Sequence, residues 1–131
     1  MEETRVVIVD RRDFDRLALD VLCQLTPGVI VSGSVATVTD AVRVLEGASE
    51  VVLIGRQLLR VDGPAAVSRL RAAGAGRVIL VGTDHGGLPA EAVRVDADGV
   101  LERDGDGDAQ ARVLRGELGA VPRWTGDLRR V

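Results

Sequence analysis

Residues 50–64 read EVVLIGRQLLRVDGP, a short apolar run that stops at a glycine and continues into a polar loop closing with Asp-Gly-Pro. The run from Val51 to Ile54 is rich in β-branched residues and does not alternate with polar ones, a pattern typical of a strand buried on both faces. Sites in parallel α/β sheets lie at the carboxyl ends of such strands. Here the residue at that end, Gly55, has no side chain to contribute.

Similar runs recur along the chain, with helical patterns between them. The five runs are Arg5–Val9, Val29–Val31, Val51–Ile54, Val78–Val81 and Gly99–Leu101. A β-α order repeated five times predicts right-handed crossovers and one parallel sheet that is covered by helices on both faces. The loops that follow the strands, including 32–37 after the second, are therefore the candidate site.

The first helix has the clearest apolar face. Its members stand at i, i+3, i+4, i+7, i+8 and i+11, namely Phe14, Leu17, Ala18, Val21, Leu22 and Leu25. We expect this face to pack inward, with Cys23 beside it as a small core or boundary residue. Asp13 is the expected N-cap, and a capping or dipole role for Asp13 and Asp15 is favoured over metal binding.

The other helices are shorter. The second contains Ala41–Leu45, the third begins at Pro64, the fourth runs from Leu88 to about Val95, and the fifth runs from about Asp108, its expected cap, to Leu118 with Val113, Leu114 and Leu118 inward.

The composition describes one globular domain and excludes several classes of protein. The chain has 131 residues, of which 46% are hydrophobic and 28% charged. No stretch is long and apolar enough for a membrane span, and the N-terminus shows no secretory signal, so we expect a cytoplasmic location. Cys23 is the only cysteine, which excludes an internal disulfide. A net charge of −3 argues against direct nucleic-acid binding by this domain.

Two motifs suggest chemistry that their details do not support. His85 has neither a second histidine nor a cysteine at metal-ligand spacing, so we interpret it as an exposed loop residue. The run that begins at Asp104 looks like a calcium loop, but its sixth and twelfth places are Ala109 and Arg115, so an exposed turn is favoured. We predict no catalytic residue, no metal site and no cofactor, because the sequence contains no nucleotide-binding glycine motif and no evident triad.

Four segments together resemble a response-regulator receiver domain. They are a first strand ending in Asp10, the DGP loop at 62–64, RVILVGT at 77–83 and ADGVLERD at 97–104. The resemblance covers about residues 4–118 and is closest to receivers attached to LuxR-type helix-turn-helix regulators of bacterial two-component signalling. VSGSVATVTDAV at 31–42 resembles the second strand and second helix of that subfamily. The resemblance implies a flavodoxin-like, doubly wound fold with five parallel strands in the order 2-1-3-4-5 and five helices.

The family's phosphorylation pocket is largely replaced here. The resemblance implies two acids after the first strand, an Asp phosphoacceptor ending the third, a Thr or Ser ending the fourth and a Lys ending the fifth, which together hold Mg²⁺ and a phosphoryl group. The corresponding positions in this chain are Asp10 and Arg11, Gly55, Gly82 with Thr83 one residue later, and Arg103. We therefore expect a divalent cation to be repelled and no phosphoryl group to be accepted.

The state of Asp10 has two interpretations. Asp10 pairs with Arg11 or with Arg103 in the space that the metal would occupy, or Arg11 and Arg56 point into solvent and the pocket is inert. We predict that an Asp10→Asn change lowers stability if the pair is buried.

The sequence thus predicts a receiver-like domain at residues 1–118 and a linker or C-terminal tail at 119–131 that contains Trp124. Its expected role is that of a non-enzymatic, phosphorylation-independent pseudo-receiver, a regulatory and dimerisation module in transcriptional control. The resemblance implies a homodimer through the first and fifth or the fourth and fifth helices, a DNA-binding output domain outside this chain, and a switch loop formed by Thr83, Asp84, His85, Gly86 and Gly87. The alternative is a sensor of anionic metabolites that uses Arg11, Arg56 and Arg103.

Overall fold

The computed structural model describes residues 3–45, 50–60, 63–83 and 87–116, in which strands and helices alternate. The strands are β1 (Thr4–Val9), β2 (Val29–Val35), β3 (Glu50–Gly55), β4 (Ala75–Gly82) and β5 (Gly99–Glu102). The helices are α1 (Asp13–Gln24), α2 (Val38–Val44), α3 (Gly63–Ala72), α4 (Leu88–Arg94) and α5 (Gly107–Leu114), and a 3-10 turn (Arg56–Leu59) follows β3.

All five strands are parallel and form one sheet in the order β2-β1-β3-β4-β5. The predicted flavodoxin-like fold and its strand order are therefore confirmed. All six residues of the central strand β3 are buried, as the continuous apolar run predicts. One core cluster packs beneath α2, α3 and α4, and the other lies on the α1 and α5 side of the sheet. None of the helices in the described ranges is long and apolar enough to cross a membrane.

Strand β2 is longer than predicted and runs through part of the segment expected to be a loop. Its last residue, Val35, pairs with Val9 of β1, whereas the apolar run ends at Val31. The strand lies at the edge of the sheet, where half-buried and exposed residues replace the continuous apolar pattern of the interior. An apolar run therefore marks only the first half of this strand.

Two predicted helix caps are wrong. The N-cap of α1 is Arg12, and Asp13 is the first helical residue. The N-cap of α5 is Asp106, whose side chain accepts a hydrogen bond from the Ala109 N–H, while Asp108 lies in the first turn. Both errors are shifts of one or two residues at a helix N-terminus. Asp106 and Asp108 are neighbouring acids that both suit such a position, whereas Arg12 caps α1 without a side-chain hydrogen bond. Helix α5 ends at Leu114, four residues before the predicted end at Leu118. The predicted domain boundary at residue 118 lies outside the described residues.

The expected orientation of α1 is also wrong. Phe14, Leu17, Val21 and Leu25 are exposed to 79%, 59%, 45% and 76%. The helix instead packs on the sheet through Leu19 and Cys23, which are one turn apart, and through the half-buried Leu22. Periodicity revealed an apolar face, but a helix with two apolar faces does not indicate by pattern which one meets the sheet.

Cys23 is a core residue. The sequence predicts either a core or a boundary position for it, and the structure shows the core position. Its side chain is fully buried in the cluster beneath α1. Burial, together with the nearby charge of Asp20, raises the pKa of the Cys23 thiol to about 12. The thiol is therefore protonated at neutral pH and is not a nucleophile in the folded protein.

Candidate functional site

The carboxyl ends of the strands surround a cavity of about 170 Å³. Its lining includes most of the pocket residues predicted from the sequence, namely Asp10, Gly55, Arg56, Gly82, Thr83 and Arg103. Arg12 and Asp15 also line it, although the sequence did not assign them to the pocket. Arg11 lies in the exposed loop after β1, and the lining position on this side belongs to Arg12.

The carboxylate of Asp10 fills the space beside Gly55. Asp10 is only 4% exposed, and its Oδ1 accepts a hydrogen bond of 3.0 Å from the Arg12 N–H. A Cβ atom added at Gly55 would lie 2.4 Å from Asp10 Oδ2, closer than any real contact. The backbone of Gly55 is ordinary extended chain (φ −65°), so its conformation does not require glycine. Any side chain at position 55 would therefore require the Asp10 carboxylate to move.

Arg103 holds the Asp10 carboxylate in this position. Its Nη2 lies 3.6 Å from Asp10 Oδ2, and its Nη1 lies 3.2 Å from Asp15 Oδ1. The structure thus pairs Asp10 with Arg103 and adds Asp15, which sequence reasoning gave only a helix-terminus role. Nη2 is buried without a hydrogen-bond partner among the described residues, because 3.6 Å is an ion-pair distance and too long for a hydrogen bond.

The backbone around Arg103 is also fixed. The Arg103 N–H donates to the Gly82 carbonyl at 3.0 Å, which extends the β4 and β5 pairing by one bond. Gln110 of α5 is buried, and its Nε2 donates to the carbonyls of Glu102 and Arg103 at 2.7 and 3.1 Å. No signal in the sequence indicates this role of Gln110, since a glutamine on a helix is ordinarily a surface residue.

A second charged side chain crosses Gly82. A Cβ atom there would lie 2.9 Å from Leu88 Cδ1 and 3.0 Å from Arg56 Cδ, so the stem of Arg56 and the first residue of α4 occupy the space of the missing side chain. The Arg56 guanidinium then binds Glu91 of α4 with both arms, Nε to Oε1 at 3.2 Å and Nη2 to Oε2 at 2.8 Å. This bidentate pair connects the end of β3 to α4.

The donor set does not fit the magnesium ion that the receiver resemblance implies. The lining contains two carboxylates and three guanidiniums, a formal charge of +1. Both carboxylates, Asp10 and Asp15, already face Arg103, and Gly55 supplies no oxygen from its side chain. In the part of the chain that the structure describes, no group of three or more acidic, histidine or cysteine side chains is placed to hold a metal.

The predicted switch loop is described only at its two ends. Thr83 is exposed and lines the cavity, and Gly87 is the N-cap of α4. Asp84, His85 and Gly86 lie outside the described residues.

The motifs that carried the resemblance have structural roles in this chain. Asp98 of the ADG segment accepts a hydrogen bond from the Val78 N–H at 2.8 Å and pairs with Arg71 of α3 at 3.1 Å. Gly63 of the DGP loop is buried, and a Cβ atom there would lie 2.7 Å from Val95 Cγ1 at the end of α4. These residues fix the helices around the sheet and leave the cavity untouched.

No protein-family model matches this sequence, and none of the curated proteins matches it significantly. Solved structures do match. The signal receiver domain of NarL from Mycobacterium tuberculosis superposes with a TM-score of 0.67 at 22% identity, covering 87% of this chain and 94% of that one. A LuxR-family two-component response regulator from Aurantimonas sp. gives 0.70 at 21% identity, covering 99% and 100%. A chain in the complex of the CheA3 P1 domain with CheY6 from R. sphaeroides gives 0.74 at 19%, covering 88% and 97%.

The fold is that of a response-regulator receiver domain. Identities near 20% establish the receiver fold and carry no residue roles with them. In this chain the pocket residues at the carboxyl ends of β1, β3, β4 and β5 are Asp10, Gly55, Gly82 and Arg103. Asp15 and Glu91 are the charged partners that sequence reasoning missed. Asp15 had a usable signal, because an acid in the first turn of α1 lies at the same end of the sheet as Asp10.

The buried pair predicts a stability cost when the charge of Asp10 is removed. We expect Asp10→Asn to lower the free energy of unfolding by about 1–3 kcal/mol, because it leaves the Arg103 guanidinium short of a buried counter-charge. Asp108→Asn, a change at an exposed acid of α5, is the matched control and should cost a few tenths of a kcal/mol. Urea unfolding measures both, and equal midpoints for Asp10→Asn and wild type would contradict the buried pair.

The Arg56–Glu91 pair predicts that α4 is fastened to the end of β3. We expect Glu91→Gln to speed hydrogen exchange of the α4 amides about fivefold, the factor that about 1 kcal/mol of lost local stability gives. Arg94→Gln is the control, since Arg94 is 70% exposed and 3.6 Å from Glu91. Mass spectrometry on peptides covering α4 measures the hydrogen-exchange rates. Identical rates in the two variants would show that the Arg56–Glu91 pair does not stabilise the helix.

Proposed function

We propose that this chain is a phosphorylation-independent receiver, a regulatory and dimerisation module of an atypical response regulator in transcriptional control. The observation that carries the proposal is the Asp10 carboxylate in the space beside Gly55, paired with Arg103 at 3.6 Å. The receiver fold supports a regulatory role, and the altered pocket supports independence from phosphorylation.

The chemistry of the pocket supports this proposal. Phosphoryl transfer to a receiver needs a carboxylate nucleophile and a divalent cation to offset the charge of the transferred group. Gly55 offers no nucleophile, and Asp10 is engaged by Arg103 on one oxygen and by the Arg12 N–H on the other. The two carboxylates that line the cavity with Thr83 are both paired with Arg103, which disfavours their use as a base for its hydroxyl. The internal ion pair holds the pocket in one arrangement without an added ligand.

The proposed partners are a second copy of the chain and an output domain that binds DNA, in a cytoplasmic protein. Support for pairing comes from strand β5, which lies at an edge of the sheet and borders an apolar groove of about 220 Å³. Val100, Leu101 and Val113 line this groove between β5 and α5. A self-complementary contact there would use one of the two helix pairs that the resemblance implies, that of α4 and α5.

Resistance to phosphorylation tests the proposal. We expect the chain, incubated with acetyl phosphate and Mg²⁺, to show no stoichiometric phosphoryl adduct by intact mass. Gly55→Asp should also remain unmodified and unfold at a lower temperature, because its Cβ would lie 2.4 Å from Asp10 Oδ2.

A receiver that ends its third strand in Asp serves as the positive control for the phosphorylation reagent. An adduct on the unaltered chain would refute the proposal. An adduct on Gly55→Asp alone would show that the pocket lacks only its nucleophile and that Asp10 does not block it.

The second candidate is an anion sensor, which the positively charged cavity of about 170 Å³ favours. An anion would have to compete with carboxylates, because Arg103 already faces Asp10 and Asp15 and Arg56 binds Glu91. This competition ranks the sensor second.

Calorimetry with phosphate and succinate separates the two functions. We expect no heat beyond dilution for either anion if the ion pairs are permanent. Saturable binding that Arg103→Ala abolishes, with Arg112→Ala on the exposed face of α5 as the control, would favour the sensor.

A further inference from the structure

Helix α1 carries an apolar stripe that no described residue covers. The stripe consists of Phe14, Leu17, Ala18, Val21 and Leu25. Within the described ranges, the only other large hydrophobic side chain with this exposure is Ile30, on the adjacent strand β2. Val21 stands two residues from both Leu19 and Cys23, so at 3.6 residues per turn it points roughly 160° away from the core contacts. A contiguous apolar surface of this kind marks an interaction site.

A groove adjoins the stripe. It lies between α1 and the edge strand β2 and has a volume of about 540 Å³. Its lining combines apolar strand residues with two polar residues of the helix, and consists of Asp20, Gln24, Val29, Ile30 and Val31. The floor suits a large apolar side chain, and Asp20 on the wall suits a cation beside it.

The chain leaves α5 at one end of this groove. Arg115 follows α5, and its Nε donates to the Pro27 carbonyl at 3.2 Å, while its own carbonyl accepts from Thr4 Oγ1 at 3.4 Å. Pro27 stands two residues before Val29, where β2 and the groove begin. Whatever follows Gly116 therefore starts at the amino ends of the strands, with Arg77 of β4 beside Gly116 and Pro27 within reach of the Arg115 side chain.

We propose that residues 117–131 of the same chain cover the α1 stripe and place Trp124 in the groove. The segment reads ELGAVPRWTGDLRRV and supplies apolar residues separated by small and polar ones. Trp124 follows Gly116 by eight residues, which reach up to roughly 26 Å when extended. A twelve-residue helix such as α1 is only about 18 Å long, so the segment is long enough to span the whole stripe.

Charge complementarity favours this occupant over a second copy. Among the described residues, Asp20 is the one charged residue that lines the groove, whereas Asp13 at the other end of α1 is paired with Arg16. Two copies that meet through this groove would bring their two Asp20 carboxylates into one interface. The C-terminal segment instead carries Arg123, Arg129 and Arg130 against Glu117 and Asp127, a net charge of +1, with Arg123 next to Trp124. Its attachment beside the groove also gives it an effective concentration in the millimolar range, well above that of a separate chain at micromolar concentration.

Tryptophan fluorescence of residues 1–131 tests the inference cleanly, because Trp124 is the only Trp and the chain has no Tyr. In the native protein we expect emission shifted to the blue of the denatured protein and unchanged over a hundredfold dilution. Val21→Asp and, separately, Leu25→Asp should shift the emission to the red and raise acrylamide quenching severalfold. Both positions are exposed, and far-ultraviolet circular dichroism checks that each variant is folded.

The control is Ala65→Asp, which places the same charge at an exposed position of α3, on the other side of the sheet. It should leave the emission unchanged. Native emission equal to that of the denatured protein would overturn the inference, since Trp124 would then be in water. Emission that shifts to the red on dilution would assign the stripe to a second copy, and blue emission indifferent to both α1 variants would place Trp124 elsewhere.

Discussion

The arrangement at the strand ends depends on a single ion pair in a confined space. The Asp10 carboxylate is buried where a side chain at position 55 would stand, and Arg103 supplies its counter-charge. A buried carboxylate without a cation would be costly, so Arg103 has to remain in place. It is held by Asp15 of α1 and by the carbonyl contacts of Gln110 from α5. Through these contacts Arg103 connects the ends of β1 and β5 to the two helices on the same side of the sheet.

The two glycines of the pocket act in the same way at the ends of two neighbouring strands. Neither glycine has a positive φ, so each serves by leaving room for a neighbouring charged side chain, Asp10 at Gly55 and the Arg56 stem at Gly82. Both neighbours then form ion pairs inside the protein, and Glu91 brings α4 into the second pair. On the proposed function, these fixed pairs stand where a metal and a phosphoryl group would otherwise set the position of α4. Stability and loss of phosphorylation chemistry would then have one physical cause.

The sheet was predictable from the sequence because its interior strands are buried on both faces. Such strands have a continuous apolar run, as in Val51–Ile54, and this pattern has few other interpretations. It also brought Asp10, Gly55 and Arg103 together, since strand ends meet at one edge. It could not choose between Arg11 and Arg103 as the partner of Asp10, because that choice depends on the direction of the chain after β1. The orientation of α1 was wrong for a related reason, since periodicity locates a face without saying what covers it.

The exposed stripe and the pocket share helix α1, and this connection bears on how such a module could receive a signal. Leu19 and Cys23 are the only residues of α1 that are fully buried against the sheet. Full burial of a side chain such as Leu19 contributes about 1.5–3 kcal/mol. A segment that covered the outer face would therefore add substantially to the free energy that keeps this helix in place. The first turn of the same helix places Asp15 against Arg103. A segment that covers or uncovers the stripe would therefore shift the helix that supports the pocket ion pair. Coupling of this kind needs no phosphoryl group, only a difference in affinity of the cover for two positions of α1.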